Sequence, residues 1–446
     1  SHNFSPYRHL THNFAAFFKK KIIFAKIKTL TDFIDMKRVV ITGQGIISPI
    51  GNSVAEFEES IKSGKLGITK YEHPRWKYSI HVAGLVKGFD PTAYGLSKSE
   101  ERHNDLFSQF AIAAAVEAMN SSGIVSGENI EPERFAVYVG SGIGGMNTFI
   151  EQSEILFTQG PGRISPLFIP MMIPNIGGGN IAIKYNAQGP CLTHVSACAT
   201  GTNSIGEAYL AIKYGRADAI LAGGADAVVT PLAIGGFTNC KALTLESDPE
   251  KACIPFDIRR GGFVMGEGGA MMMLEEYEHA KNRGADIIAE VVGYGCTCDA
   301  YHYTAPRKDG IPASKAIGMA LKESGYTSGK SLYINAHGTG TKLNDASETT
   351  AIKLALGEED ARKASISYTK SMTGHMFGAT GAAELIASAL ALRDGFVPPT
   401  IGLREPDPEC DLDYTPIVMK EKKLDYAISN SLGFGGHNVC VALKKI

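Results

Sequence analysis

Short apolar runs rich in β-branched residues recur along the chain, separated by longer stretches whose apolar positions return every three or four residues. The runs at 38–42, 135–139, 219–222 with 227–230, 287–292, 332–335 and 438–443 predict strands. Helical spacing predicts helices over 109–119, 205–214, 317–324, 348–356 and 382–392. Their alternation indicates an α/β protein with a mixed or parallel sheet. No low-complexity linker interrupts it, so any two halves are expected to pack intimately.

One junction in this pattern carries a reactive residue. In "HVSACATGTNSIGEAY", residues 194–209, Leu192, Val195 and Ala197 read as the end of a buried strand, and helical spacing follows through Ile205, Ala208, Ala211 and Ile212. Cys198 stands between them. A thiol at a helix start faces unsatisfied N–H groups and the positive end of the macrodipole, an arrangement expected to lower its pKa. The plainer alternative is a buried apolar cysteine. A second stretch resembles the first: "CATGTNSIGEAYLAIKYG" and "HMFGATGAAELIASALALRDG" each begin with a reactive residue, pass through small residues and close on glycine. This faint repeat predicts two buried helices aimed at a shared centre.

Composition narrows the setting. With 446 residues, 44% hydrophobic and 20% charged, the chain is of ordinary globular type. A net charge of −2 argues against a general nucleic-acid binder, and no apolar run reaches the length of a membrane span. The eight cysteines are scattered, which points to a reducing compartment, and a cytoplasmic location is expected. Residues 1–35 stand apart: "FAAFFKKKIIFAKIKTL" is basic and aromatic, no acid precedes Asp32, and Met36 reads as a natural start. They are expected to be a leader or extension outside the fold. As a transit peptide they would instead direct the chain to a plastid or mitochondrion.

Several motifs compete for the chemistry. Gly140, Gly142 and Gly145 match G-x-G-x-x-G after a strand, but no second strand ending in an acid follows, so a dinucleotide site is a weak reading. Cys296, Cys298 and His302 lack the second half of a zinc pattern, and no metal site is expected. His337 in "NAHGTGT" and His375 in "TKSMTGH" lie in Gly/Thr loops, the latter five residues after Lys370. "NSLGFGGHN" forms a glycine turn around Phe434, where backbone N–H groups can approach a ligand closely. A cysteine, two histidines, a lysine and a glycine loop make a plausible acyl-transfer site.

The ordered motifs "SACATG", "NAHGTGT", "KSMTGH" and "GFGGHN" resemble the signature of β-ketoacyl-acyl-carrier-protein synthases, the condensing enzymes of fatty-acid elongation. The resemblance spans about residues 36–446 and is nearest to the elongating type II enzymes, because Ile143 stands where type I relatives carry glycine. It implies a thiolase fold of two related mixed-sheet halves, 36–285 with the cysteine and 286–446 with the histidines, stacked as five αβαβα layers in a homodimer. It implies that Cys198 accepts an acyl group from carrier-protein phosphopantetheine, with no other cofactor. His337 and His375 would hold the malonyl thioester oxygen during decarboxylation. Lys370, paired with Glu384, would act electrostatically, Cys198 and Phe434 would supply the oxyanion hole, and Phe434 would be a gate. Thr339 and Thr341 match pantetheine contacts, Ile143 and Phe237 the acyl-tunnel wall, and Lys241, Lys98 and Arg102 the basic positions that dock the acidic carrier protein. Gly261 departs from the family's aspartate and His437 from a common threonine. A polyketide ketosynthase of the same fold is the alternative.

Overall fold

Ten strands hydrogen-bond into one continuous mixed sheet, and their order records a duplication. The computed structural model describes residues 36–446; the basic segment 1–35, expected to stand outside the fold, lies outside the described residues. In the first half, β1 (Val39–Ile47), β2 (Phe135–Gly140), β3 (Cys191–Leu192), β4 (Ala219–Asp226) and β5 (Gly268–Glu276) lie in the order 3-2-4-5-1. In the second, β6 (Ala289–Cys298), β7 (Leu332–Asn335), β8 (Ser365–Ser367), β9 (Tyr426–Gly433) and β10 (His437–Lys444) lie in the order 8-7-9-10-6, the same arrangement displaced by five strands. β2 pairs parallel with β3 and β4, as β7 does with β8 and β9. The remaining neighbours in each half run antiparallel. The halves join where residues 39–41 of β1 pair with residues 289–291 of β6.

Helices flank the sheet and frame the site, among them α1 (Leu106–Ser122), α2 (Thr200–Lys213), α3 (Pro231–Asn239), α4 (Ile311–Ser324), α5 (Lys342–Leu356) and α6 (Thr380–Asp394). α2 and α6 occupy equivalent places in the two halves and lie at the centre. Their Ile205, Ile212, Leu385 and Leu390 share a core with Ile41 of β1, Met272 of β5 and Val441 of β10. α1 covers one outer face through Phe110 and Ala114 against Val137 and Leu221. α4 and α5 cover the other through Ile317 and Ile352 against Ile334 and Ile428. With the two halves of the sheet on either side of α2 and α6, the layers run helix, half-sheet, helix, half-sheet, helix, the thiolase arrangement. α6 is buried all round from Thr380 to Leu392, which is why its sequence is nearly all small and apolar.

Where strands depart from expectation, packing supplies the reason. β1 continues past Thr42 because Gly43 and Gly45 let it lie directly on α1; a Cβ at Gly45 would stand 2.0 Å from the Ala114 carbonyl oxygen. β5 gave no signal: "GGAMMMLEE" has no β-branched residue and, as a central strand, shows no alternation. β9 was hidden by its Ser429, Asn430 and Ser431, which are buried although polar. Residues 227–230 are not a strand, because β4 ends at Asp226. Nor do Leu192, Val195 and Ala197 end a buried strand. β3 is two residues long, forms the open edge of the sheet and pairs only with β2, leaving Leu192 and Val195 47% and 57% exposed.

Candidate active site

Cys198 stands in a single helical turn, Ala197–Ala199, that leads into α2. Ala197 has φ 51°, a left-handed conformation that residues with a Cβ rarely adopt, and Cys198 opens from this bend onto a cavity. Phe377, φ 49°, occupies the matching place before α6. The repeat therefore aligns "ACATG" with "FGATG". Cys198 falls opposite Gly378, and not opposite His375 as the two motif starts suggested.

The thiol's environment corrects a second expectation. The Lys370 charge and the N–H groups of Phe434 and of Cys198 itself favour the thiolate. Burial outweighs all three and pushes the Cys198 thiol up to about 11, so the resting group is a neutral thiol and not a helix-start thiolate. The Phe434 loop comes this close because Gly433 has no side chain; a Cβ there would stand 2.6 Å from the Ser196 carbonyl oxygen. Gly435 and Gly436, at φ 90° and 81°, turn the loop back into β10.

His337 and His375 meet Cys198 from the second half. Their ring nitrogens and the Cys198 Sγ all lie within 4.8 Å of one another. His337 follows β7, and Glu348 of α5 fixes its backbone by accepting the N–H of His337 at 2.7 Å and of Gly338 at 2.9 Å. His375 is held across the chain, its N–H on the Val264 carbonyl at 2.7 Å and its Nδ1 3.0 Å from the Thr380 hydroxyl. Its Nε2 is buried and has no protein partner. Burial, reinforced by the Lys370 charge, holds both imidazoles well below the usual histidine range, so both are neutral near pH 7.

Lys370 does not line the cavity. It is fully buried behind the histidines, where its Nζ bonds the Glu384 carboxylate and the His337 carbonyl. Burial pushes Glu348 and Glu384 up to about 7, with Lys370 pulling both down. Among the described residues, Asn335 Oδ1, Glu384 Oε2, Ser429 Oγ and Asn430 Oδ1 are each buried without a protein partner, oxygens of the kind ordered water satisfies. The Cys–His–His donors, by contrast, are of the kind a soft cation accepts.

The cavity has a volume of 470 Å³. Ile143, Phe237, Phe377 and Phe434 form its apolar wall; Thr339, Thr341 and Lys241 also line it. Gly261 lines it too, and a Cβ there would meet nothing nearer than the Thr244 hydroxyl at 4.0 Å. Lys98 and Arg102 are exposed on the helix Lys98–His103, outside the cavity wall, and Lys98 pairs with Glu101 at 2.9 Å. Cys296 and Cys298 are exposed on β6. The Gly140–Gly145 loop is not free for phosphate, because its amides already serve the Asp226 carboxylate. Glu348, Thr380 and Asp226 escaped sequence reasoning. Their signal was weak: an acid or hydroxyl at a position that the apolar pattern places inside.

Fold and site together define a condensing enzyme of the thiolase fold. The chain belongs to the β-ketoacyl synthase family: residues 36–280 match the family's N-terminal domain and 288–404 its C-terminal domain. It is 47% identical over 410 residues to 3-oxoacyl-[acyl-carrier-protein] synthase 2 of Staphylococcus aureus, covering 92% of this chain and 98% of that protein. A protein of the same name from Synechocystis is 46% identical over 416 residues, covering 92% and 99%. Among solved structures, a β-ketoacyl synthase from Burkholderia phymatum matches with TM-score 0.85 at 32% identity, covering 92% of this chain and all of that one. A ketosynthase solved in complex with a type II polyketide synthase acyl-carrier protein matches with TM-score 0.84 at 35% identity, with the same coverage.

Proposed function

We propose that this chain elongates fatty acyl groups by two carbons, condensing malonyl-carrier protein with an acyl chain held on Cys198. The observation that carries the reading is the convergence of one thiol and two neutral imidazoles on an apolar cavity. In the first step the Cys198 sulfur attacks the carrier thioester; its proton passes, by way of a neutral imidazole, to the departing pantetheine sulfur. In the second, malonyl thioester loses carbon dioxide, and the electron pair of the broken C–C bond moves into an enolate. The N–H groups of His337 and His375 hold the enolate oxygen, which requires the Thr380 hydroxyl to donate to His375 Nδ1 and leave the proton on Nε2. The new carbon attacks the acyl-Cys198 carbonyl, whose oxyanion the Cys198 and Phe434 amides receive. Collapse expels the Cys198 thiolate, which takes a proton from solvent. Lys370 keeps the imidazoles neutral and, through the His337 carbonyl, holds one of them in place. No cofactor is needed beyond the phosphopantetheine on the carrier.

Identity of 47% to a 3-oxoacyl-[acyl-carrier-protein] synthase 2, against 35% to the polyketide ketosynthase, favours fatty-acid over polyketide substrates. Thr339 and Thr341 are suited to the pantetheine arm, and Lys241, exposed at the cavity mouth with φ 55°, to the acidic carrier protein. We also propose a homodimer joined at the open edge of β3. That edge leaves backbone groups unpaired, and Ile183 of the adjoining helix Ile176–Tyr185 and Val195 just past β3 are 81% and 57% exposed. The decisive experiment incubates the protein with acyl- and malonyl-carrier proteins and weighs protein and products. An acyl adduct on Cys198 and a chain longer by two carbons are expected; an adduct on Cys240, which also lines the cavity, would overturn the assignment.

A further inference from the structure

One carboxylate ties the loop of Ile143 to the loop of His375. Asp226, at the end of β4, is fully buried, and its partners are all neutral. Its Oδ1 accepts the Ser141 hydroxyl at 2.6 Å and the Ile143 N–H at 3.3 Å. Its Oδ2 accepts the Gly142 N–H at 2.9 Å and the Gly378 N–H at 2.6 Å. The Ser141 oxygen in turn accepts the Gly144 N–H at 2.8 Å. Space for the carboxylate comes from two glycines, one in each half: a Cβ would stand 3.0 Å from Oδ2 at Gly142 and 2.7 Å at Gly378. Gly378 lies between Phe377, which stacks on His375 with ring centroids 5.0 Å apart, and Thr380, which holds His375 Nδ1.

We infer that Asp226 is a positioning residue for acyl-chain selection, holding the Gly142–Ile143 backbone against the Gly378 turn and so fixing where Ile143 stands in the tunnel. The inference rests on reading Ile143 as the chain-length gate. Closing a loop does not by itself call for an acid, since a backbone carbonyl would serve. A carboxylate without a cation is costly to bury, and burial pushes Asp226 up to about 6. What it offers is four acceptor sites at one point, enough to join both loops rigidly. A long acyl chain has to displace Ile143 against that clamp, whereas a short one does not reach it.

The test compares kcat/KM for butyryl- and tetradecanoyl-carrier proteins in wild type, Asp226→Asn, Ser141→Ala and Ile143→Phe. The carboxamide turns an NH2 toward amide donors and loses at least one of them. Asp226→Asn should therefore raise the long-to-short ratio by about tenfold. Ser141→Ala, which keeps the carboxylate and serves if Asp226→Asn fails to fold, should move it less in the same direction. Ile143→Phe should lower it. The KM for malonyl-carrier protein should stay within about twofold throughout. If Ile143→Phe moves the ratio while Asp226→Asn and Ser141→Ala slow both substrates equally, Asp226 is only a fold element and the proposal falls, though the gate stands. If no variant moves the ratio, gate and proposal fall together. If Asp226→Asn moves it and Ile143→Phe does not, Asp226 does not act through Ile143 and the proposal falls with the gate.

Discussion

At the scale of single residues, the Cys198 thiol shows burial outweighing the helix start. Deprotonation centred near 11 predicts that alkylation of Cys198 by iodoacetamide accelerates steadily from pH 7 to pH 10, because the thiolate fraction is still rising there. A rate that levels off below pH 8 would mean a thiolate formed at neutral pH. The histidines behave in a complementary way. Their depressed pKa values keep both neutral as pH falls through 6.5, where an unfolded chain would already bind protons, so they contribute stability at neutral pH that is lost on acidification. His337→Ala and His375→Ala should still load acyl groups onto Cys198. Each should lose about 3 kcal/mol of enolate stabilisation, about a hundredfold in carbon dioxide release from malonyl-carrier protein. Near wild-type release by both variants would remove the histidines from that step.

At the scale of elements, close backbone approach positions the chemistry. β1 is pressed onto α1 at Gly43 and Gly45, and Gly433 onto the Cys198 turn. Gly45→Ala forces its Cβ into the Ala114 carbonyl and should destabilise the fold by about 3 kcal/mol or more, read as a lower urea midpoint. Gly433→Ala should act differently. Its Cβ pushes the Phe434 loop away from Ser196, so turnover should drop sharply while the urea midpoint moves less than for Gly45→Ala. If both variants lose activity only in proportion to stability, the loop has no separate role in positioning. α1, α2, α4, α5 and α6 were legible from periodicity, whereas the helices Val54–Ser63, Met146–Gln159 and Ile176–Tyr185 and the strands β5 and β9 were not. A central strand and one carrying buried Ser and Asn share no hydrophobic period with ordinary strands.

For the whole molecule, the proposed docking and dimer surfaces are the cavity mouth and the open sheet edge. Lys241→Glu should raise the KM for carrier-protein substrates and flatten its dependence on salt, with kcat nearly unchanged. An unchanged KM would exclude Lys241 from the docking surface. Replacing Val195 with Glu puts a charge beside β3 and should convert dimers to monomers in sedimentation experiments. Dimers that persist would place the interface elsewhere.

The residues proposed to carry the chemistry were legible in the sequence alone, because Cys198, His337, Lys370, His375 and Phe434 each sit in a short glycine-containing motif whose composition serves the local backbone. The alternation of apolar runs likewise determined the α/β class. Only the tertiary structure decided what those groups are like: burial sets the thiol high and the imidazoles neutral, and burial is a property of neighbours distant in the chain. It also decided the true register of the repeat and the parts played by Glu348 and Asp226. Those acids act through backbone amides 10 to 11 and 83 to 152 residues away, and no local pattern encodes a partner that only folding brings near.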